Sequence, residues 1–175
     1  MEKNLTLTGM MGVGKTTIGK RLAKKLNYAF IDIDKIIENQ EGESISSIFK
    51  NKGEDYFRKL ETKQTLKELK KDKSVISLGG GAFLNSSIRQ CSKKQSISFW
   101  LDVPFETLLK RLKKSKNRPL LGKEKTDGSI KKIYFIRKKF YNKADYRIKC
   151  KTLTLKQTIE KIFNFYEKSR NKVSK

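Results

Sequence analysis

Gly9-Met10-Met11-Gly12-Val13-Gly14-Lys15-Thr16 is a complete phosphate-binding loop. The strand-like run Leu5-Thr6-Leu7-Thr8 leads into it, and a helical apolar stripe of Ile18, Leu22 and Leu26 follows. Strand, glycine loop and helix are the context such a loop needs. Glycine permits the backbone angles that turn successive N–H groups inward as a nest for phosphate oxygens. The helix N-terminus adds partial positive charge. In this geometry Lys15 reaches the β- and γ-phosphates of a nucleotide and the Thr16 hydroxyl holds Mg²⁺.

Outward from the loop, strand-like and helix-like segments alternate. Strands are expected at Asn4–Thr8, Tyr28–Ile33, Ser74–Leu78, Ile97–Leu101 and Tyr146–Lys149. Helical patterns cover about 35–50 and 54–70, then the stretch after Pro104 carrying Leu108, Leu109 and Leu112. Another carries Ile133, Ile136, Phe140 and Tyr141, and the last carries Ile159, Ile162, Phe163 and Tyr166. Thr154 and Gln157 form a capping-box pattern before that last helix. Asn117–Gly128 is polar, basic and glycine-containing and reads as a mobile loop; the tail from Lys168 reads as frayed. This alternation predicts an α/β fold, a five-stranded parallel sheet covered on both faces in three αβα layers. The first strand alternates Leu with Asn and Thr, where a buried parallel strand is usually more continuously apolar.

At 175 residues the chain reads as one domain. Histidine is absent, which excludes His general bases, Ser-His triads and His-ligated metals. The two cysteines, Cys91 and Cys150, are far apart and suit a reducing cytoplasm. No apolar stretch approaches a membrane span, and Met1–Lys3 leads straight into the first strand, so neither a membrane anchor nor a signal peptide is expected. The formal net charge is +24, from 42 basic and 18 acidic side chains. A field of this sign would concentrate a nucleotide such as ATP and an acidic second substrate near the protein. Aromatics are not interleaved with the lysines as stacking platforms, so a dedicated nucleic-acid site is not expected.

Ligands in such sheets sit beyond the carboxyl ends of the strands. There the sequence offers the phosphate loop, then Asp32-Ile33-Asp34, then Gly79-Gly80-Gly81. If the strand continues, Asp32 and Asp34 point to one side, one toward Mg²⁺ and one toward a substrate hydroxyl; a strand-end cap is the competing reading. The third strand does not end in the acidic pair with which an ATP-driven machine holds Mg²⁺ and activates water. The triple glycine instead suits close approach of a small ligand to backbone. Arginine is scarce beside lysine, so Arg58, Arg118 and Arg137 stand out as planar forks for carboxylate or phosphate, against the plainer alternative of surface salt bridges. Glu61, three residues after Arg58, can hold that guanidinium.

Together these pieces resemble the shikimate kinase family, of nucleoside-monophosphate-kinase structural type. The resemblance rests on Gly9–Thr17, Phe30–Asp34, Gly53–Glu61, Ser77–Gly81, Arg118-Pro119-Leu120-Leu121, and Arg137 with Tyr141, in order from about residue 4 to 165. It implies ATP-dependent phosphorylation of shikimate to shikimate 3-phosphate, with Mg²⁺, on the route to chorismate and the aromatic amino acids. By the same likeness Gly12, Val13, Gly14, Lys15, Thr16 and Thr17 bind ATP, Arg111 packs on adenine, and Thr16 and Asp32 serve the metal. Asp34 contacts ring hydroxyls as base or orienting group, and Arg58 and Arg137 clamp the carboxylate. Gly79, Gly80 and Gly81 line the acceptor pocket, with Phe49 and Phe57 as ring-packing or core residues. Arg118 closes over the transferring phosphoryl group; Lys15, Asp34 and Arg118 form the catalytic set. The acceptor region is expected at about 33–61, the mobile lid at about 113–128, and the chain as a cytoplasmic monomer. Rival readings are a kinase of another small hydroxy acid such as gluconate, a kinase of a nucleotide, and a basic nucleic-acid-binding ATPase.

Overall fold

The computed structural model describes residues 3–114 and 126–173. Its core is a five-stranded, all-parallel sheet: β1 (Asn4–Thr8), β2 (Ala29–Asp32), β3 (Ser74–Ser77), β4 (Ser96–Asp102) and β5 (Tyr146–Lys149), in the order β2-β3-β1-β4-β5. The helices are α1 (Lys15–Leu26), α2 (Ile33–Glu41), α3 (Ile45–Leu69), α4 (Ser86–Gln95), α5 (Phe105–Lys114), α6 (Asp127–Tyr141) and α7 (Leu155–Val173), with a short 3-10 turn at Ala82–Leu84. The chain crosses from β1 out to β2 and then returns to β3. Right-handed crossovers therefore place α1 and α3 on opposite faces, α1 beside α7 and α3 beside α4.

Every β1 residue is buried, and the polar side chains of Asn4 and Thr6 are paired, whereas Thr8 Oγ1 has no hydrogen-bond partner among the described residues. The Asn4 amide donates to the Leu69 carbonyl at 3.0 Å and accepts from the Ser74 N–H at 2.9 Å. Thr6 Oγ1 donates to Ser96 Oγ at 2.6 Å. Burial of a polar group is tolerated when it is paired, so the apolar half of the alternation (Leu5, Leu7) and the paired half both face packed layers.

Several boundaries differ from expectation. β2 stops at Asp32, whose side chain caps α2 by accepting from the Lys35 N–H at 3.4 Å. Ile33 and Asp34 are thus helical, and the two carboxylates do not share a strand face. The expected helices at 35–50 and 54–70 are divided differently: α2 ends at Glu41 with Gly42 as its C-cap, and α3 runs from Ile45 through a kink at Gly53. Helix α4 went unread because it is polar, with only Ile88 and Ser92 buried. On α6 the buried face is Ile130, Tyr134, Arg137 and Tyr141, while Ile136 is 47% exposed. Thr126 caps α6, so Asp127 and Gly128 are helix rather than loop, and residues 115–125 of the expected lid lie outside the described residues. The segment expected to fray is helical through Val173. The capping box is formed: Gln157 N–H donates to Thr154 Oγ1 at 3.2 Å, and Thr154 N–H to Gln157 Oε1 at 2.8 Å.

Candidate active site

The carboxyl ends of β1, β2 and β3 open into one cleft of about 470 Å³. Gly14 stands at the N-terminus of α1 with φ of 98°, in the left-handed region that favours glycine. Gly9 is equally constrained: its φ is 136°, and a Cβ there would come within 2.9 Å of the Leu101 carbonyl. The loop is therefore pressed against the end of β4. Lys15 Nζ donates to the Gly9 and Met10 carbonyls at 2.9 and 3.1 Å. Thr16 Oγ1 donates to Asp32 Oδ2 at 2.7 Å, which joins the first helical turn to the end of β2. Gly12, Gly14, Thr16, Thr17, Asp32, Asp34 and Gly80 all face this cleft. Val13 is instead buried beneath Gly9.

The second half of the site is a cluster of charge, with Glu61 and Arg137 buried and Asp34 and Arg58 half-buried, and of these four Asp34 lines the cleft itself. Arg58 is held from two sides on α3, by Glu61 at 2.5 Å and Glu54 at 3.0 Å. Arg137, only 6% exposed, reaches in from α6. The triple glycine after β3 makes room for these groups. A Cβ at Gly79 would meet Glu61 Oε1 at 2.2 Å and Asp34 Oδ1 at 2.8 Å; at Gly80 it would meet Arg137 Nη1 at 3.2 Å; at Gly81 it would meet both Arg58 Nη atoms at 2.5 Å. Four charged side chains thus converge on three consecutive residues without a side chain of their own. Asp34 Oδ1, Glu61 Oε1 and Arg137 Nη1 are enclosed and have no hydrogen-bond partner among the described residues. Native interiors rarely leave such atoms unpaired. A cluster of two acceptors and one donor left open suits a ligand carrying hydroxyls and a carboxylate.

Burial, reinforced by Glu61 and Asp32 and opposed by Lys15 and Arg58, lifts the Asp34 carboxyl to about 7. Burial raises Glu61 as well, opposed by Arg58 and Arg137. Tyr141, one turn beyond Arg137, donates its hydroxyl to the Gly80 carbonyl and is fully buried; burial, opposed by Arg137, pushes its phenol up to about 12. Sequence reasoning gave Tyr141 no part in the site, although its i+4 spacing from Arg137 put it on the same face. Glu61 was read only as a holder of Arg58, whereas it also faces Gly79. Phe57 is core, its ring 4.9 Å from that of Phe49. Arg111 Nη1 lies 3.4 Å from the Gly12 carbonyl, beside the phosphate loop. Arg118 lies outside the described residues.

Thr16 and Asp32 present adjacent hard oxygens, and among the described residues no group of three or more His, Cys, Asp or Glu side chains could hold a metal. That donor set suits Mg²⁺, which binds through one or two protein oxygens while keeping waters and phosphate oxygens.

Comparison with known proteins agrees with this geometry. A family model described as shikimate kinase matches residues 11–167. A shikimate kinase of Sulfurihydrogenibium sp. is 45% identical over 160 residues, covering 91% of this chain and 95% of its own. One from Caldanaerobacter subterraneus is 38% identical over 170 residues, covering 97% and 99%. Among solved structures, shikimate kinase from Acinetobacter baumannii in complex with shikimate superposes with a TM-score of 0.90 at 33% identity, covering 97% of this chain and 95% of that one. A gluconokinase from Sinorhizobium meliloti, at 13% identity and TM-score 0.62, shares the fold alone.

Proposed function

The chain belongs to the shikimate kinase family and phosphorylates shikimate at the expense of ATP, and we propose that the two halves of the cleft divide that reaction between them. The observation that supports this division most directly is the cluster of unpartnered atoms, Asp34 Oδ1, Glu61 Oε1 and Arg137 Nη1, around the triple glycine.

On the nucleotide side, the backbone N–H groups of Gly12, Val13 and Gly14, with Lys15, Thr16 and Thr17, hold the phosphates, and Arg111 borders the base. Thr16 and Asp32 would hold Mg²⁺, which would supply positive charge to offset that of the phosphates. For Lys15 to reach those phosphates, its ammonium exchanges the Gly9 and Met10 carbonyls for phosphate oxygens. On the acceptor side, Arg58 and Arg137 clamp the carboxylate of shikimate, Gly80 lets the ring lie against backbone, and Gly79 and Gly81 make room for Glu61, Asp34 and Arg58. Asp34 accepts a hydrogen bond from the 3-hydroxyl. As that oxygen bonds to the γ-phosphorus, the bond from phosphorus to the ADP oxygen breaks and the hydroxyl proton passes toward Asp34. A carboxyl lifted to about 7 can take a proton at neutral pH, where an ordinary aspartate is a far weaker base. Lys15 and Arg118 stabilise the charge that spreads over the transferring group, and positioning supplies most of the rest.

The chain acts in this reading as one domain and as a monomer in the cytoplasm; among the described residues no helix is long and apolar enough to cross a membrane. The test is ADP release with MgATP and shikimate, set against gluconate, AMP, CMP and single-stranded DNA, with the product identified by mass. Turnover with shikimate alone, yielding shikimate 3-phosphate, is expected. Turnover with gluconate or a nucleotide instead would reassign the acceptor pocket.

A further inference from the structure

β2 is the terminal strand of the sheet, so one edge of its backbone has no strand neighbour among the described residues. A cavity of about 690 Å³ lies along it, and shares Thr16, Asp32 and Lys35 at one end with the lining of the catalytic cleft. Phe30 and Ile31 of β2 with Ile36 of α2 give it an apolar floor. Its rim carries Lys20 from α1, Lys35 from α2, and Lys67 and Lys71 from α3. Two carboxylates also line it, and both are engaged: Asp32 with Thr16 at 2.7 Å, and Glu68, 3% exposed, with Lys71 at 2.6 Å. Gln64 donates to Glu68 at 3.0 Å and accepts from Gln40 at 3.3 Å, so α2 and α3 are stitched into one wall.

Three features therefore coincide: an unpaired backbone edge, an apolar floor and a cationic rim. A small anion would use the rim alone. A nucleic acid would find, among the described residues, Phe30 as the single aromatic ring in the groove and would leave the strand edge unpaired. An extended acidic polypeptide uses all three, through main-chain hydrogen bonds, alternate aliphatic contacts and alternate ion pairs.

We propose that this groove binds an extended acidic segment of a partner protein, which adds as a strand to the free edge of β2. Carboxylates of the segment meet Lys20 and Lys67, and its aliphatic side chains rest on Phe30 and Ile36. Lysines flanking a sheet edge also discourage pairing with a second copy of the same basic chain; the charge that repels a copy of this protein attracts an acidic strand.

The test uses the full chain and a fluorescein-labelled peptide alternating valine and glutamate, followed by anisotropy. Lys20→Glu/Lys67→Glu is compared with Lys131→Glu/Lys132→Glu, an equal charge change on exposed positions of α6. The groove pair is expected to weaken binding at least about tenfold and the α6 pair less than about twofold. A peptide N-methylated at alternate residues, unable to complete the ladder, is expected to bind at least about tenfold more weakly than its parent. Shikimate turnover by each double variant reports that it is folded. No binding at low salt, equal loss in both variants, or undiminished binding of the N-methylated peptide would overturn the proposal. So would tighter binding of single-stranded DNA with the same dependence on Lys20 and Lys67.

Discussion

The two halves of the cleft are built on opposite principles. The nucleotide half is backbone: a loop whose N–H groups, glycine angles and helix terminus follow from consecutive residues. The acceptor half is side chain: Asp34 from α2, Arg58 and Glu61 from α3, Arg137 and Tyr141 from α6, gathered around Gly79–Gly81. The first half is closed on itself, with the Lys15 ammonium on loop carbonyls and the Thr16 hydroxyl on Asp32. The second half leaves buried polar atoms open. Polar atoms enclosed without partners store free energy that a matching ligand releases. In the function proposed above, discrimination between acceptors therefore belongs to the side-chain half, while the backbone half supplies phosphate binding that many acceptors can share.

Breaking the acceptor half at Asp34 should have the largest effect. Asp34→Asn keeps the shape and removes the proton acceptor; kcat is expected to fall about 100- to 10,000-fold, with the KM for ATP little changed. In the unsubstituted enzyme kcat/KM for shikimate should rise with pH through about 7, and this limb should vanish in Asp34→Asn. Stability moves the other way. The folded-state value near 7 lies above the ordinary 3.8, so between these values the folded chain binds more protons than the unfolded one. The contribution of Asp34 to stability is thus complete below about 4 and is lost as pH rises through about 7. Asp34→Asn should therefore melt higher than the parent at pH 8, and the gain should shrink toward pH 4. A variant that keeps full turnover would reduce Asp34 to a structural residue.

The clamp comes next. Arg58→Lys and Arg137→Lys keep the charge and lose the planar fork. Each should raise the shikimate KM by a factor matching the loss of a charged hydrogen bond, about 1.5–3 kcal/mol or roughly 10- to 150-fold. Arg137 should be the more sensitive, because Arg58 keeps Glu54 and Glu61 as partners whereas Arg137 Nη1 has none among the described residues. An unchanged acceptor KM in both variants would remove the clamp. Smaller again is Gly79→Ala, which pushes a methyl group against Glu61 and Asp34. Overpacking of about 1–3 kcal/mol should appear in the shikimate KM and leave ATP binding intact; equal damage to both substrates would mean that the two halves are not separable.

The same contrast explains what could be read from the sequence. The phosphate loop is legible because its chemistry is contiguous, and the β-strands are legible because each is bounded by turns or helices of a different period. The relation of Asp32 to Asp34 was not, since strand and helix extrapolate those two residues to different places and only the cap at Asp32 decides between them. On α6, hydropathy selects Ile136 for the interior, yet Arg137 is buried and Ile136 half exposed. A cation is drawn inward by Glu61, Tyr141 and the pocket they enclose, and none of these is near it in sequence except Tyr141. Helix α4 escaped because its burial is carried by Ile88 and a serine, Ser92, whose hydroxyl bonds to Ser96 at 2.8 Å.

The smallest expected effect tests the edge of the nucleotide half. Arg111 touches the loop through a single long contact, 3.4 Å to the Gly12 carbonyl, from an exposed position on α5. A solvent-screened contact of this kind is worth less than about 1 kcal/mol. If Arg111 also stacks on the base, a cation–π contribution of about 0.5–1 kcal/mol adds to it. Arg111→Ala should then raise the KM for ATP about two- to thirtyfold while leaving kcat and the shikimate KM alone. Arg111→Met, which keeps the length and apolar body of the side chain but not its charge, separates the two terms. Partial rescue by Met would mean that the side chain acts by packing on the base, and none would mean that it acts by charge beside the phosphate loop. A rise in the shikimate KM in either variant would show that even this outlying residue of the nucleotide half communicates with the acceptor pocket, and the division between backbone and side-chain halves would have to be redrawn at Gly80, where Met11 of the loop and Arg137 of the pocket both meet the chain.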